Sequence, residues 1–258
     1  MLIDSHCHLY MLDLSAYHHH LDELIFETKQ AGVDAMLCVA VNMTTAKKCI
    51  DIAETYENIY CSVGSHPSET EEDDLSLDTV CQLARHTKVV AIGETGLDYH
   101  DHSAKLDIMQ NRFRTHIRAA ITIKKPLIIH TRHASDDTLR IMNEENAADI
   151  GGVMHCFTES LPMAKACLDL NFYISFSGIV TFKNAKELVD VARYVPLDNL
   201  LIETDSPYLA PTPFRGKQNE PKYVQYVAAK IAEIKNISFD AVCEKTSENF
   251  RKLFLNRA

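Results

Sequence analysis

The chain alternates short apolar runs with longer amphipathic segments along its whole length. Each short run is typical of a strand buried on both faces, as in a parallel sheet. Eight such runs occur, at residues 2–4, 35–41, 59–64, 89–93, 127–129, 152–154, 172–176 and 200–202. Eight strand and helix units in 258 residues, with no linker-like stretch or repeat, predict an α/β fold, a (β/α)8 TIM barrel forming a single domain over residues 1–258.

Helix boundary signals mark several of the intervening segments. The stretch LDELIFETKQAG ends in glycine, TTAKKCIDIAETY opens with a threonine cap, and KLDIMQNRFRTHIRAAITI and AKELVDVARYV stop before a proline. The last segment, from about residue 238 to 257, carries Val242, Phe250 and Leu253 on one helical face. We expect this extra C-terminal helix to pack on the outside of the barrel.

The composition excludes several classes of protein. No apolar run has the roughly 20 residues of a membrane span, and the opening residues lack the regions of a signal peptide, so we expect a cytoplasmic protein that does not bind membranes. The eight cysteines are scattered without a CxxC pair, which favours reduced thiols over disulfides. A formal charge of −10 argues against a broad electrostatic grip on nucleic acid, so any polyanion must be bound locally.

Histidines and carboxylates follow six of the eight predicted strands, where a TIM barrel carries its functional residues. Because residues i and i+2 of a strand share a face, His6 and His8 can bind one metal ion while Cys7 faces the barrel wall. Six residues exceed the ligands of a single catalytic ion, so we predict a dinuclear centre. One ion is assigned to His6, His8 and Asp205 and the other to His130 and His155, with Glu94 shared. Such a centre indicates hydrolysis.

These strand ends belong to longer stretches that resemble the TatD family of metal-dependent deoxyribonucleases, within the amidohydrolase-like barrels. The likeness spans nearly the whole chain and rests on DSHCHL, VGSHP, AIGETGLDY, PLIIHTR, HCFT, YISFSGIVTFKNA, LLIETDSPYLAPTPFRGKQNEP and TSENFRKLF. It implies a divalent-metal hydrolase of nucleic acid, a 3′ to 5′ exonuclease with single-stranded DNA favoured over RNA, whose metal ligands fall on the same six residues. The sequence departs from the family at His133, where an acid is usual, and in HCFTES, where HCFTG is common.

Further residues near the strand ends are candidates for catalysis and substrate binding. Asp205 is suited to accept a proton from the attacking water, and Glu203 to position a histidine ligand or to take a direct catalytic part. With Glu94 they form the predicted catalytic set. Cationic side chains fit phosphate oxygens and aromatic rings stack on bases, so the predicted substrate contacts are His66, Arg132, Arg215, Lys217 and Tyr99.

Most of these contacts have a structural alternative. His66 equally fits a turn fixed by the following proline, Tyr99 fits a core position, and Arg215 and Lys217 fit a solvated loop.

His18 and Cys156 resemble functional residues by type or position, but we interpret both as structural. His18 opens a run of three histidines far from the strand ends and is expected on the solvated surface. Cys156 follows a predicted ligand but should face the opposite side of its strand, as a packing residue.

The predicted cofactors are two divalent metal cations. Four histidines and two carboxylates suit zinc, manganese, cobalt or iron, and the family resemblance also allows magnesium. Two other functions stay open, an amidohydrolase that cleaves an amide or cyclic amide and a non-catalytic metal or nucleic-acid binding protein. Many barrel amidohydrolases carry a modified lysine where this chain has Glu94, so the sequence favours phosphoester cleavage by a processing or repair exonuclease. It indicates no obligate protein partner.

Overall fold

The computed structural model describes residues 1–69, 75–100 and 106–255. Eight parallel strands form one sheet in which each strand pairs with the next along the chain. Their bounds are β1 Leu2–Cys7, β2 Val33–Cys38, β3 Ile59–Val63, β4 Val89–Asp98, β5 Leu127–Arg132, β6 Gly152–Met154, β7 Phe172–Phe176 and β8 Leu200–Ile202. The prediction of a TIM barrel is confirmed.

Helices connect the strands and cover the outside of the sheet. Their bounds are α1 Leu21–Gln30, α2 Met43–Thr55, α3 Leu77–Leu83, α4 Leu106–Ile123, α5 Ser135–Glu144, α6 Leu161–Asp169, α7 Lys186–Tyr194, α8 Val224–Lys235 and α9 Phe239–Phe250, which continues as a wider π-helical turn, Arg251–Leu255. The predicted fourth helix thus begins at Leu106, and its expected first residue, Lys105, lies outside the described residues.

The barrel closes between β1 and β8 through backbone bonds beside the predicted ligands. The amide of Asp205 donates to the carbonyl of His6 at 2.9 Å, and the amide of His8 donates to the carbonyl of Ser206 at 2.8 Å. Closure therefore fixes the two chain segments that carry the HxH pair and the last carboxylate against each other.

The C-terminal segment does not lie wholly outside the barrel. One buried cluster joins apolar residues from seven strands, among them Ile3, Val90 and Leu201, with Phe250, Leu253 and Phe254. The helices that cover the sheet pack against the alternate residues of the strands, and these form a separate cluster. The cluster that contains Phe250 is therefore the barrel interior. The expectation of outside packing is correct for Val242 and wrong for Phe250 and Leu253, which close the amino-terminal end of the barrel.

Local capping agrees with the sequence in kind but not at every residue. The threonine cap expected for α2 is replaced by Asn42, whose side chain accepts from the amide of Thr45 while the Thr45 hydroxyl accepts from the Asn42 amide. Ser76, Ser160 and Ser238 cap α3, α6 and α9. Over the described ranges, no helix combines the length and apolar character needed to span a bilayer.

Candidate metal centre

The carboxyl ends of the strands surround one cavity of about 590 Å³. Five of the six predicted metal ligands line it, namely His8, Glu94, His130, His155 and Asp205. His6, the sixth, is fully buried beside them. The structure thus brings together side chains from β1, β4, β5 and the segments after β6 and β8.

One group of donor atoms gathers around His6 and His8, whose Nε2 atoms lie 3.3 Å apart. Asp205 Oδ1 lies 3.6 Å from Nε2 of His6 and 3.4 Å from Nε2 of His8, and Glu94 Oε2 lies 3.3 and 3.9 Å from the same nitrogens. Four tetrahedral ligands about 2.1 Å from an ion lie about 3.4 Å from one another. These four residues, which we call site A, have that spacing.

A second group surrounds the other oxygen of Glu94. Oε1 lies 2.7 Å from Nε2 of His155, 3.2 Å from Nδ1 of His130 and 3.3 Å from Nε2 of His66. The facing nitrogens of His130 and His155 are 3.4 Å apart. These four residues form site B, which includes His66 in addition to the residues that the sequence assigned to a second ion.

Glu94 belongs to both sites because its two carboxylate oxygens face in different directions. Its place on β4 depends on a close approach to β5, where a Cβ on Gly96 would lie 1.9 Å from the carbonyl oxygen of His130. Gly96 also has a φ of +139°, which side chains rarely adopt. A glycine two residues after the carboxylate is therefore part of how the sequence positions it.

The carboxylates of the cluster favour positive charge beside them, as the directions of three pKa shifts indicate. Burial alone would raise the pKa of Glu94, but the facing histidines hold it well below its usual range. Burial would lower the pKa of His155, yet the charge of Glu94 raises it well above the ordinary value. The pKa of His8 is likewise raised to about 9, because its hydrogen bond with Asp205 outweighs its burial. Imidazole protons or divalent cations in their place can supply this charge.

Fixed acceptors determine which imidazole nitrogen faces each site. When one ring nitrogen donates a hydrogen bond, the other carries the lone pair that a metal ion requires. Three such bonds orient the rings: His8 Nδ1 to the carbonyl of Val39 at 2.9 Å, His155 Nδ1 to Glu203 Oε1 at 3.2 Å, and His130 Nε2 to Asp98 Oδ2 at 3.2 Å. The donor set therefore fits divalent cations, since lone pairs and carboxylate oxygens converge on the same points.

Glu203 lies next to a predicted histidine ligand, where the sequence placed a positioning residue. Besides His155, its Oε1 accepts from the amide of Cys156 at 2.6 Å. Among the described residues, neither Glu203 Oε2 nor Nδ1 of His6 has a hydrogen-bond partner, although both are buried. Glu203 is thus held against site B with one oxygen still available.

The expectation that Cys156 faces away from the site is wrong. It lines the cavity, and its φ is +43°. The strand ends at Met154, so the alternation of faces that underlies the expectation no longer applies two residues later.

The acid before the HxH motif anchors the strand that carries it. Asp4 Oδ1 accepts from the amide of Thr204 at 2.8 Å, and Asp4 Oδ2 accepts from its hydroxyl at 2.6 Å. Burial raises the pKa of Asp4 to about 8. On the loop after β8, which carries Thr204, the side chain of Asn219 donates to the carbonyls of Thr204 and Tyr208. These bonds fix the loop on which Asp205 sits.

The predicted substrate contacts divide into two groups. His66 and Arg132 line the cavity, whereas Tyr99, Arg215 and Lys217 do not. The hydroxyl of Tyr99 donates to a carboxylate oxygen of Asp137 at 2.8 Å, which supports the structural alternative for this residue. Arg215 and Lys217 are exposed on the loop after β8.

His18 lies on the surface, as expected. Its side chain is 83% exposed and its Nδ1 lies 2.9 Å from Glu23, on α1. It is not among the residues that line the cavity.

Sequence reasoning missed several residues in and beside the cavity, of which Asp98 and Tyr208 contact predicted metal ligands. Asp98, which orients His130, shares a strand with Glu94 at a spacing of four, and this period-two spacing is a signal that could have revealed it. Tyr208 lines the cavity three residues after Asp205, with its ring centroid 6.4 Å from that of His8. The sequence carries no comparable signal for Tyr208.

Comparison with known proteins agrees with this geometry. The sequence model of the family described as TatD related DNase matches residues 3–255. The chain is 45% identical over 258 residues to a Bacillus subtilis protein named uncharacterized metal-dependent hydrolase YabD, covering 98% of this chain and 99% of the relative. It is 29% identical to a Salmonella typhimurium protein named 3′-5′ ssDNA/RNA exonuclease TatD, covering 90% of this chain and 92% of the relative.

A solved structure shares the whole architecture. The crystal structure of YjjV, a TatD homologue from Escherichia coli K12, superimposes with a TM-score of 0.89 at 27% sequence identity, covering 98% of this chain and 97% of that one.

Proposed function

The chain belongs to the TatD family of metal-dependent hydrolases, and on that premise we propose that it is a 3′ to 5′ exonuclease that removes nucleotides from single-stranded DNA or RNA. The observation that carries this proposal is the division of Glu94 between two sets of donor atoms. A carboxylate whose oxygens face separate groups of histidines is suited to bridge two divalent cations, and paired cations are used by many enzymes that displace groups at phosphorus. The exonuclease name of the Salmonella relative supports the same substrate.

Site A and site B are the proposed places of the two cations. His6, His8 and Asp205 would hold one and His130 and His155 the other, with Glu94 between them. When bound, the cations would lower the pKa of a water molecule and offset the charge that develops on phosphate oxygens. The mixed imidazole and carboxylate ligands suit manganese, zinc or cobalt, and magnesium remains part of the proposal through the family.

Asp205 is the proposed general base. Burial would raise the pKa of its carboxyl, but the hydrogen bond with His8 and the nearby histidines hold that pKa below its usual range. The group is therefore an ionised acceptor at neutral pH, and its side chain is 13% exposed toward the cavity. A carboxylate in that state can take the proton from a water molecule attacking phosphorus.

Two further side chains are suited to hold the scissile phosphate. Arg132 is an exposed residue on the cavity wall, and its guanidinium can donate two parallel hydrogen bonds to phosphate oxygens. His66 lines the cavity with Nε2 directed at Glu94, so it can contribute to site B or contact a phosphate oxygen beside it.

Hydrolysis of end-labelled DNA tests the proposal. Metal-stripped protein is resupplied separately with magnesium, manganese, cobalt or zinc and incubated with single-stranded oligonucleotides labelled at the 3′ or the 5′ end. We expect metal-dependent release of the 3′ label as mononucleotide and stepwise shortening of the 5′-labelled strand. The exposed-site variant His18→Ala, prepared in parallel, should behave like the unmodified protein.

Absence of cleavage with every ion, despite bound metal, would contradict the nuclease proposal. A panel of cyclic amides and simple amides then tests the amidohydrolase alternative with the same metal-loaded protein.

A further inference from the structure

At least four of the nine arginines among the described residues are paired with neighbouring carboxylates. Salt bridges to aspartate or glutamate are made by Arg114, Arg118, Arg140 and Arg193. Arg215 is not one of these four, because no carboxylate of the described residues lies within 4.0 Å of its guanidinium, and the side chain is exposed. An exposed arginine without an acidic partner, on the loop that follows β8, is available for an anionic ligand.

The guanidinium of Arg215 is held in a defined orientation. Its Cζ atom lies 3.8 Å from the centroid of the Phe182 ring, which is a close cation–π contact. Phe182 restricts the position of the guanidinium, and within the described ranges no side chain or backbone group accepts a hydrogen bond from it. Arginine planes and aromatic rings are both surfaces on which nucleobases stack.

The pair adjoins the cavity of the metal centre. The amide of Thr212 donates to the hydroxyl of Thr181 at 2.9 Å, which ties the loop after β8 to the turn after β7. Ile179 and Leu209, on the same two segments, line the cavity. Phe182 follows Ile179 by three residues, so their Cα atoms are at most about 11 Å apart. We call Phe182 and Arg215 together the rim pair.

A second aromatic side chain, Tyr208, lies on the cavity wall beside His8. Tyr208 lines the cavity and is 54% exposed, although it is large and apolar. Asn219 fixes its backbone carbonyl with a hydrogen bond of 2.7 Å, so the ring is carried by a restrained loop. An exposed tyrosine in a cavity wall is a stacking surface that packing does not require.

We propose that Tyr208 and the rim pair form a subsite for the unreacted nucleotides of a single-stranded chain, with bases stacking on Tyr208 and on the face of Arg215 and an adjacent phosphate bound by the guanidinium. This inference rests on the proposed nuclease function and adds the path by which the substrate leaves the cavity. A subsite of this kind distinguishes a polynucleotide from a mononucleotide, and it explains how a chain with a net charge of −10 can hold a polyanion locally.

Equilibrium binding tests the subsite. The full-length, manganese-loaded protein is titrated into fluorescein-labelled octathymidylate with phosphorothioate linkages, which resist hydrolysis, and into labelled thymidine monophosphate. The variants are Arg215→Gln, Arg215→Lys and Phe182→Leu. The matched control is Arg85→Gln, another exposed arginine without a carboxylate partner among the described residues, which precedes β4 at the opposite end of the barrel.

We expect Arg215→Gln to weaken octamer binding about tenfold and Phe182→Leu about threefold. Arg215→Lys should fall between them, because it keeps the charge and loses the planar face. Binding of the monophosphate should not change in any variant, and the control should match the unmodified protein. Equal octamer affinity in all of these proteins, or equal weakening of octamer and monophosphate, would overturn the subsite.

Cleavage of an unmodified octathymidylate, measured in parallel, separates the two proposals. Suppose that the variants weaken octamer binding as expected but the unmodified protein does not shorten the octamer. The nuclease function then fails and the subsite stands. Suppose instead that the unmodified protein shortens the octamer and that both Phe182→Leu and Arg215→Gln cleave it with the same KM. The subsite then fails and the nuclease function stands.

Discussion

The two ends of the barrel use the same eight strands for opposite purposes. At the carboxyl end, charged and polar side chains surround an open cavity, and carboxylates are buried against histidines. At the amino end, Phe250, Leu253 and Phe254 fill the barrel with apolar surface. Burying apolar groups stabilises the fold, whereas burying charges costs free energy unless partners or ions offset it. Stability and chemistry are thus separated along the barrel axis.

This separation means that substitutions at the two ends should affect different measurements. A change at the carboxyl end should alter hydrolysis and metal binding with little loss of stability, and a change at the amino end should do the reverse.

Asp205→Asn should reduce hydrolysis by about 1,000-fold or more, about 4 kcal/mol, because it removes a carboxylate from site A and the proposed base. The melting temperature of the metal-free protein should stay within a few degrees, because asparagine keeps the shape of aspartate and His8 can release its proton once the carboxylate is gone. Initial rates and thermal unfolding check both parts. Asp190→Asn, at an exposed position on α7, is the control and should leave both unchanged. A large loss of stability in Asp205→Asn would contradict the contrast.

Phe250→Ala should lower the free energy of unfolding by about 3 to 5 kcal/mol, because it leaves a cavity where a fully buried ring packs against Tyr60 and Phe254. The melting temperature should fall by about 10 °C, while the hydrolytic rate per folded molecule at low temperature should be retained. Denaturant unfolding and activity assays at 15 to 20 °C check this. Phe26→Ala, at a position that is 63% exposed on α1, should have little effect on either. Loss of activity in a folded Phe250→Ala protein would show that the ends are coupled.

Metal binding should stabilise the protein through the carboxyl end alone. Adding a divalent cation at about 100 times its dissociation constant should raise the free energy of unfolding by about 2.7 kcal/mol for each site. The gain should persist in Phe250→Ala and shrink in Asp205→Asn, as measured by thermal unfolding with and without chelator. An equal gain in both variants would place the metal somewhere else.

Glu203→Gln should weaken metal affinity or activity by about 10- to 100-fold, because residues that orient a ligand typically have effects of that size. The side-chain oxygen of the new glutamine can still accept a hydrogen bond from the backbone amide of Cys156, so the fold should be kept. Metal affinity is measured by calorimetry, and the rate of hydrolysis is measured at increasing metal concentration. A rate that recovers at saturating metal indicates a positioning role, and a rate that stays low indicates a direct catalytic role. Glu233→Gln, at an exposed position of α8, is the matched control.

Much of the carboxyl end could be predicted because its signals are local. His6 and His8 share a face by strand geometry, and the remaining predicted ligands each follow an apolar run, where a TIM barrel directs side chains to one mouth. The prediction failed where local geometry changes after a strand ends. Cys156 turns into the cavity with a positive φ, and the C-terminal segment divides between the outer layer and the barrel interior.

Short-range patterns are enough to predict the alternation of strands and helices, the residue types at the strand ends and the family to which the chain belongs. The tertiary structure adds that Glu94 gives one oxygen to each site, that His66 joins site B and that Asp98 orients His130. It also decided that Phe182 holds Arg215 at the rim. These relations join residues far apart in the chain, and their distances depend on how the strands close into a barrel, which no local pattern specifies.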